Sequence, residues 1–398
     1  MLGKSGPTIS NHLRDTPWKL IVSELYDKTR KCQKPSSRTN ANGLLRTSLP
    51  KVRIASLFAG AGGLEIAACK SVRVEAIVST DANATFLSTV EKNMPLHFPE
   101  VRHHSIVADA ALLQGTTLTA LLGKNPELVM GGPPCDDYTK VGRRRGFEGK
   151  KGPFIFEFLR IVEQLQPACF LFENVPNLAK QFKSVFERFL AQTRSMEYHV
   201  QWALLKACDF GAPTQRTRIF VVGWQNPLLN NSFRFPSPTH GDSSTYDLLA
   251  PNTGSLEPFR YVSDVLADLP DVKVPTGKQF LNHSGRTHRP ETVEHMKTVP
   301  LGKKINKSYR YRAPWKGLSQ SLTAGMDDST KSFIHPHYHR EMSVREYARL
   351  HLFPDSWFFE GTHHNGIKQV ANSVPIPLGE AVLSKVIDHI LQGAVVKK

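Results

Sequence analysis

Between Arg53 and about Trp224, short β-branched or apolar runs recur at residues 54–58, 74–80, 106–108, 128–130, 170–172, 202–205 and 219–222. Stretches with apolar residues at three- and four-residue spacing fill several of the gaps, notably 154–165 and 185–192. Strands punctuated by helices predict an α/β domain with a doubly wound, mostly parallel sheet. Residues 225–335 break this rhythm and are rich in Pro, Ser, Thr, Asn and Gly, which predicts a second, smaller, loop-rich region. Helical spacing returns at 343–351 and 377–392. Residues 336–398 are therefore expected to rejoin the first domain, which runs from 51 to 224. Residues 1–50 read as a basic N-terminal extension, with one amphipathic stretch at 10–31 and a polar linker at 33–43.

Composition narrows the class. Of 398 residues 40% are hydrophobic, yet no run approaches the ~18 consecutive apolar residues of a membrane-spanning helix. The first residues lack the apolar core of an export signal. The five cysteines (Cys32, Cys69, Cys135, Cys169 and Cys208) are odd in number and show no CxxC spacing. That pattern argues against a disulfide scaffold or a structural zinc site and for a reducing, cytoplasmic compartment. Charge says more. The net value is +16, and the excess is concentrated: residues 1–50 hold nine basic and three acidic side chains, 140–151 hold six and one, and 297–316 hold seven and none. Basic segments on an otherwise neutral body suit a polyanion, because each Lys or Arg on a phosphate releases condensed counterions.

Candidate chemistry collects at strand ends. The first strand runs into Phe58-Ala59-Gly60-Ala61-Gly62-Gly63, a turn that lets a ligand touch the backbone before the next helix. Asp81 and Asp109 end the second and third runs, where carboxylates suit ribose hydroxyls and an adenine amino group. The spacing fits an adenosine-type cofactor and leaves NAD and S-adenosylmethionine both open. Gly131-Gly132-Pro133-Pro134-Cys135 follows the fourth run, and the two prolines fix the approach of a thiol that precedes several cations. Such a cysteine should be a nucleophile of lowered pKa. Glu173 closes the fifth run, where partial desolvation would raise its pKa and suit it to proton donation. Arg216 and Arg218 alternate before the last run, so both guanidiniums are expected on one face, facing an anion or a carbonyl oxygen. Farther on, Lys303, Lys304, Lys307, Arg310 and Arg312 interleave with Tyr309, Tyr311 and Trp315, a mixture suited to phosphate contact with base or sugar packing. The histidines 335, 337 and 339 lack a second ligand pair at metal spacing, so no metal is expected.

Taken in order, Phe58-x-Gly60-x-Gly62-Gly63, Pro133-Pro134-Cys135, Glu173-Asn174-Val175, Arg216-x-Arg218, Arg345-Glu346-x-x-Arg349-Leu350-x-x-Phe353-Pro354-Asp355 and Asn372-Ser373-Val374-Pro375 resemble the motifs of the cytosine-C5 DNA methyltransferases. The resemblance spans about residues 53–392 and implies a Rossmann-like, class I S-adenosylmethionine-dependent fold with a small target-recognition domain. It implies that Cys135 adds to cytosine C6, that Glu173 holds and protonates N3, and that Arg218, with Arg216, holds O2. Phe58, Gly60, Gly62, Gly63, Asp81, Asp109, Pro134, Asn372 and Ser373 would line the cofactor pocket. Residues 139–152 resemble the family's closing loop, so Thr139, Lys140, Arg143, Arg144 and Arg145 are expected to contact DNA. The implied partners are double-stranded DNA and, functionally, a cognate restriction endonuclease; the implied setting is a monomeric enzyme associated with the nucleoid. The chain departs from the family pattern at Asp136-Asp137-Tyr138-Thr139 after the cysteine, Thr214 before the arginines, His351 for a usual Gln, and Ala371 for a usual Gly. The alternatives are a tRNA-modifying relative with the same chemistry, a non-catalytic DNA-binding regulator on this fold, and an NAD-dependent oxidoreductase, which accounts for the glycine turn but not for Pro133-Pro134-Cys135 paired with Glu173.

Overall fold

Seven strands make the central sheet in a computed structural model that describes residues 50–71, 73–134, 154–225, 233–242, 256–273, 280–304, 310–323 and 332–396. They are β1 (Val52–Leu57), β2 (Val74–Asp81), β3 (Arg102–Val107), β4 (Leu128–Gly131), β5 (Cys169–Asn174), β6 (His199–Lys206) and β7 (Thr217–Trp224), in the order β3-β2-β1-β4-β5-β7-β6. The first five run parallel, while β7 is antiparallel to both of its neighbours. The reversal follows from chain length. Only the residues between Lys206 and Thr217, including a short 3₁₀ turn at Ala207–Phe210, join β6 to β7. A parallel crossover needs a dozen or more residues and usually a helix, so a shorter link returns the chain antiparallel.

Successive side chains of β1 serve two cores. Val52 and Ile54 enter one apolar cluster, and Ala55 and Leu57 enter the other, on the opposite face. A strand covered on both sides reads as a continuous apolar run rather than an alternating one. The longer helices are α1 (Gly63–Cys69), α2 (Ala84–His97), α3 (Gly115–Leu122), α4 (Phe154–Leu165), α5 (Lys183–Ser195), α6 (Pro290–Lys297), α7 (Val344–Leu350), α8 (His363–Asn372) and α9 (Ile376–Val396), with short helical turns at Asn177–Lys180 and Val262–Leu266. The second cluster takes most of its helical residues from α3, α4 and α5. The first is built under α1 and α9, and a Cβ on Gly379 would lie 2.9 Å from the Ala67 Cβ, so these two helices touch almost backbone to backbone. All seven residues of α1 are buried.

The described part of residues 225–335 does not stand apart. Phe233, Val262, Leu266, Tyr311, Leu322 and Phe333 join the first cluster, and only Met296, Val299 and Ile334 form a small core of their own. Buried arginines tie this region down. Arg345, fully buried, donates to the carbonyls of Leu281 (2.9 Å), Pro354 (2.8 Å) and Trp357 (2.6 Å). Arg349 donates to the Val265 carbonyl (2.9 Å) and pairs with Asp268 and Asp355. Arg340 makes two bonds to Glu346 (2.9 and 2.8 Å) and one to Asp271 (2.9 Å). Burial alone would raise the Glu346 pKa, but those bonds and the Arg340 charge hold it below the usual carboxylate range. The Arg345-Glu346-x-x-Arg349 motif is therefore a set of struts between the loop-rich region and α7.

Candidate active site

The sheet order reverses at β1, which has β2 on one side and β4 on the other, so a crevice opens at the carboxyl ends of β1 and β4. Phe58, Gly60 and Gly62 adopt φ values of 57°, 56° and 87°, which turn the chain sharply from β1 into α1. A Cβ on Gly62 would lie 2.8 Å from Trp357 Cζ2, and one on Gly63 would lie 2.9 Å from the Val374 carbonyl oxygen. A Cβ on Gly60 would meet nothing within 4 Å. The turn is packed behind and open in front.

Asp81 Oδ2 accepts from the Gly60 N–H (2.9 Å), and its Oδ1 accepts from the Asn83 N–H (2.8 Å). The Ala108 N–H donates to the Asp81 carbonyl (3.1 Å), which sets the exposed Asp109 next to it, and Asp109 Oδ1 accepts from the Ala111 N–H (3.0 Å). Phe58 is half-buried, edge-on to Phe154 with ring centroids 6.0 Å apart. Asn372, the last residue of α8, is exposed. An open glycine face, a half-buried aromatic ring and carboxylates on adjacent strand ends fit an adenosine-bearing cofactor such as S-adenosylmethionine. Ser373 is used differently from expectation. It is buried, its hydroxyl donates to the Val370 carbonyl (2.7 Å), and its Cβ would lie 3.1 Å from a Cβ on Gly63. It backs the turn and points its hydroxyl inward.

On the other side of β1, Gly131 pairs with Leu57 and Phe172. A Cβ on Gly131 would lie 2.5 Å from the Leu57 carbonyl oxygen, and one on Gly132 would lie 2.6 Å from Glu173 Oε2. Asn174 Nδ2 donates to the Pro133 carbonyl (3.2 Å). The Gly-Gly-Pro-Pro approach is thus pressed against the end of β5, and a side chain at Gly132 would have to displace the Glu173 carboxyl. Pro134 is the last described residue there. Cys135, Thr139, Lys140, Arg143, Arg144 and Arg145 lie outside the described residues, as do Lys307 and residues 1–49.

Glu173 is buried, and Arg218 Nε lies 2.8 Å from its Oε1. Burial raises the Glu173 pKa above the usual carboxylate value, with the charges of Arg218 and Arg216 pulling against it. That agrees with a desolvated acid at a strand end, although the sequence does not reveal that Arg218 pairs with it.

The two arginines do not share a role. Arg216 is 1% exposed and donates to the carbonyls of Leu322 (2.6 Å) and Ala371 (2.7 Å). It precedes β7 rather than lying in it, so strand alternation does not apply, and its guanidinium ties the segments at 322 and 371 together. The expectation that Arg216 faces the substrate beside Arg218 is corrected on that ground. His351, fully buried, reaches Ser373 Oγ through Nδ1 (3.3 Å). Because that hydroxyl donates elsewhere, the Nδ1 is the donor. Burial, with the charges of Arg216 and Arg218, pushes the His351 pKa far down and keeps it neutral.

The basic stretch after residue 300 divides. Lys303 and Lys304 are exposed, and Arg310 is half-buried. Arg312 is 4% exposed and donates to the carbonyls of Val299 (2.7 Å), His335 (2.8 Å) and Met296. A guanidinium spent on buried carbonyls cannot reach phosphate, so Arg312 is removed from the DNA-contacting set. Tyr311 likewise packs on Phe333 (4.9 Å) in the core, and Trp315 packs on His337 (4.2 Å). Of the interleaved aromatics, Tyr311 and Trp315 turn inward, and Tyr309 lies outside the described residues. The His335 cluster caps a turn: His335 Nδ1 accepts from the N–H groups of His337 (3.1 Å) and Tyr338 (3.2 Å).

Glu65 went unnoticed in the sequence. It sits in the first turn of α1, fully buried, with Ser79 Oγ donating to Oε1 (3.3 Å), and burial raises its pKa from an ordinary 4.5 to about 7. The available signal was one acid in the otherwise apolar run Leu64-Glu65-Ile66-Ala67-Ala68-Cys69.

The chain is similar to several known proteins. Type II methyltransferase M.SacI of Streptomyces achromogenes is 27% identical over 376 residues, covering 85% of this chain and 93% of its own length. Type II methyltransferase M.PspPI of Psychrobacter is 26% identical over 414 residues, covering 98% of this chain and 91% of its own. Among solved structures, a prophage-encoded DNA modification methyltransferase of E. coli superposes with a TM-score of 0.64 at 22% identity, over 85% of this chain and 99% of that one. The Entamoeba histolytica methyltransferase EhMeth gives 0.56 at 16%, over 86% and 98%. These two show a common fold. The family model described as "C-5 cytosine-specific DNA methylase" matches residues 52–388, and the chain belongs to that family of DNA cytosine-5 methyltransferases.

Proposed function

We propose that this methyltransferase acts on a cytosine flipped out of duplex DNA, through a covalent bond between Cys135 and C6 of the base. The observation that carries the reading is the contact of the Glu173 carboxyl with Gly132, three positions before Cys135, at the joined ends of β4 and β5. Chain connectivity keeps the thiol within a few residues' reach of that carboxyl. A target inside a stacked duplex is out of reach of such a crevice, so the base must be extruded, at a cost of a few kcal/mol.

In this reading the Cys135 thiolate adds to C6, and Glu173 hydrogen-bonds the pyrimidine edge and delivers a proton to N3 as the ring gains electron density. Burial raises its pKa, which favours the protonated form that delivers this proton. Arg218, paired with Glu173 before substrate enters, turns to O2 of the base. Arg216 holds the floor of the crevice through Leu322 and Ala371. S-adenosylmethionine, when bound, supplies an electrophilic methyl group. Phe58, Gly60, Asp81, Asp109, Pro134 and Asn372 would bind and orient it, with Gly62, Gly63 and Ser373 shaping the turn behind. Loss of the C5 proton to solvent, expulsion of Cys135 and return of the N3 proton to Glu173 then free 5-methylcytosine.

The names of similar relatives support a modification enzyme of a Type II restriction-modification pair. In the same reading it works as a monomer among the cell's DNA in the cytoplasm, with the exposed Lys303 and Lys304 and the half-buried Arg310 on phosphate. Purified protein with 5-fluorocytosine duplex and cofactor is expected to form an adduct stable to denaturation. Cys135→Ser is expected to abolish it while keeping cofactor affinity. Absence of an adduct in the wild type, or turnover by Cys135→Ser, overturns the mechanism, and methyl transfer to tRNA but not to duplex DNA overturns the substrate.

A further inference from the structure

Beneath the glycine turn lies a carboxyl group that the mechanism above does not use. The Glu65 side chain rests over a directly paired couple of serines, Ser56 of β1 and Ser79 of β2. Its Oε1 accepts from Ser79 Oγ (3.3 Å), and the Ser56 hydroxyl and its own backbone N–H also favour the charged carboxyl, against the larger effect of burial. Ser79 Oγ is shared with His103 Nε2 of β3 (3.0 Å), and burial holds that imidazole down to about 4, so it is uncharged. The other titratable groups that bear on Glu65 are Asp81 of β2, a further carboxylate, and Cys69 of its own helix, whose thiol is pushed up by burial and by Glu65. From α9, which packs on α1, the facing charge is Glu380, paired with Lys70 at the far end of α1 (2.7 Å), and Glu65 itself makes no ion pair among the described residues. A buried acid surrounded this way is without the counter-charge that usually accompanies it.

The missing charge has a natural source. Glu65 lies two residues beyond Gly63 in the turn whose open face takes the cofactor, and Asp81, which lies close enough to perturb it, holds the N–H of Gly60. S-adenosylmethionine carries a permanent positive charge on sulfur; the demethylated product is the same molecule with a neutral thioether. We propose that Glu65 is a specificity-determining residue that favours the sulfonium cofactor over its thioether product, so that loss of the charge on methyl transfer weakens the product's hold. This rests on S-adenosylmethionine being the cofactor. Ionised Glu65 attracts the cation through low-dielectric protein, whereas protonated Glu65 does not. The preference therefore grows as pH rises through the titration of Glu65, which burial has moved to about 7.

The test is equilibrium binding, without turnover, of S-adenosylmethionine, S-adenosylhomocysteine and sinefungin, in which an ammonium-bearing carbon replaces the sulfonium. In the wild type, the affinity ratio of either cation to the thioether is expected to rise about tenfold between about pH 5.5 and about pH 8.5. In Glu65→Gln the ratio stays flat at the low-pH value, while thioether affinity is little changed. If Glu65→Gln does not fold, proton release is measured on the wild type near pH 7 in buffers of different ionisation enthalpy. After correction for the ligands' own titration, release is expected to be larger with the cations than with the thioether. A ratio equally pH-dependent in both proteins, a ratio independent of pH in the wild type, or equal proton release for all three ligands overturns the proposal and leaves the cofactor assignment intact. Failure of the wild type to bind any of the three overturns the cofactor assignment and this proposal with it.

Discussion

Glu65 should make the protein's stability depend on pH in a direction opposite to that of an ordinary salt-bridged carboxylate. In the unfolded chain its carboxyl titrates near the ordinary 4.5, and in the folded chain near 7. Between those values the native state holds a proton that the unfolded state has released, so stability falls as pH rises and levels off above the folded value. A shift of that size corresponds to roughly 3 kcal/mol at full effect, at about 1.4 kcal/mol per pKa unit. That is a large share of the ~5–15 kcal/mol that stabilises a typical domain. Glu65→Gln keeps the shape and an acceptor for Ser79 while removing the titration. Urea unfolding of both proteins at a series of pH values measures the difference. Near pH 5 the Gln variant is expected to be only slightly the more stable, and by about pH 8.5 more stable by ~2–3 kcal/mol, read from the midpoints at a common slope. A difference that does not change with pH would mean that the Glu65 carboxyl is hydrated or already paired with a cation, and the charge argument would fail.

Other outcomes follow from the same geometry. Gly62→Ala meets Trp357 at 2.8 Å with φ at 87°, and is expected to destabilise the fold by about 2–4 kcal/mol and to weaken cofactor binding, as read by thermal melts with and without ligand. Arg312→Ala is expected to lower the melting temperature and leave the salt dependence of DNA binding unchanged. Lys303→Ala and Lys304→Ala are each expected to do the reverse, reducing the slope of log affinity against log salt by about 0.9 for each phosphate no longer neutralised. Arg218→Ala removes a cation that lowers the Glu173 pKa, so that pKa rises and the alkaline limb of adduct formation with 5-fluorocytosine duplex moves to higher pH, with a lower plateau; a limb that stays in place would detach Glu173 from the proton transfer.

Much of this arrangement was legible because it lies where local chemistry and topology agree. The run that gives β1 leads straight into glycines, and Glu173 comes one residue before the end of β5, as the apolar pattern stops. Helix α4 has the bounds its periodicity predicts, while α2 was missed, because Pro95 and a weak apolar stripe blur its period. The third strand extends back to Arg102, since His103 and His104 look polar in sequence yet sit half-buried in the sheet. Arg216 and Arg312 were misread for one reason. Sequence shows that a guanidinium is present but not whether backbone carbonyls more than a dozen residues away close around it. Charge patterns identify candidate ligands for phosphate only when burial is known, and burial of an arginine is a tertiary fact.

The basic turn after residue 300 has one more implication. Its two stems are pinned, by the Arg312 N–H donating to the Lys303 carbonyl (3.2 Å), by the Lys304–Tyr311 bridge, and from beneath by the Arg312 guanidinium. Whatever residues 305–309 do, their substitution leaves every one of those anchors in place. Sequence change between Lys304 and Arg310, in a lineage or a laboratory library, therefore leaves intact the frame on either side of it.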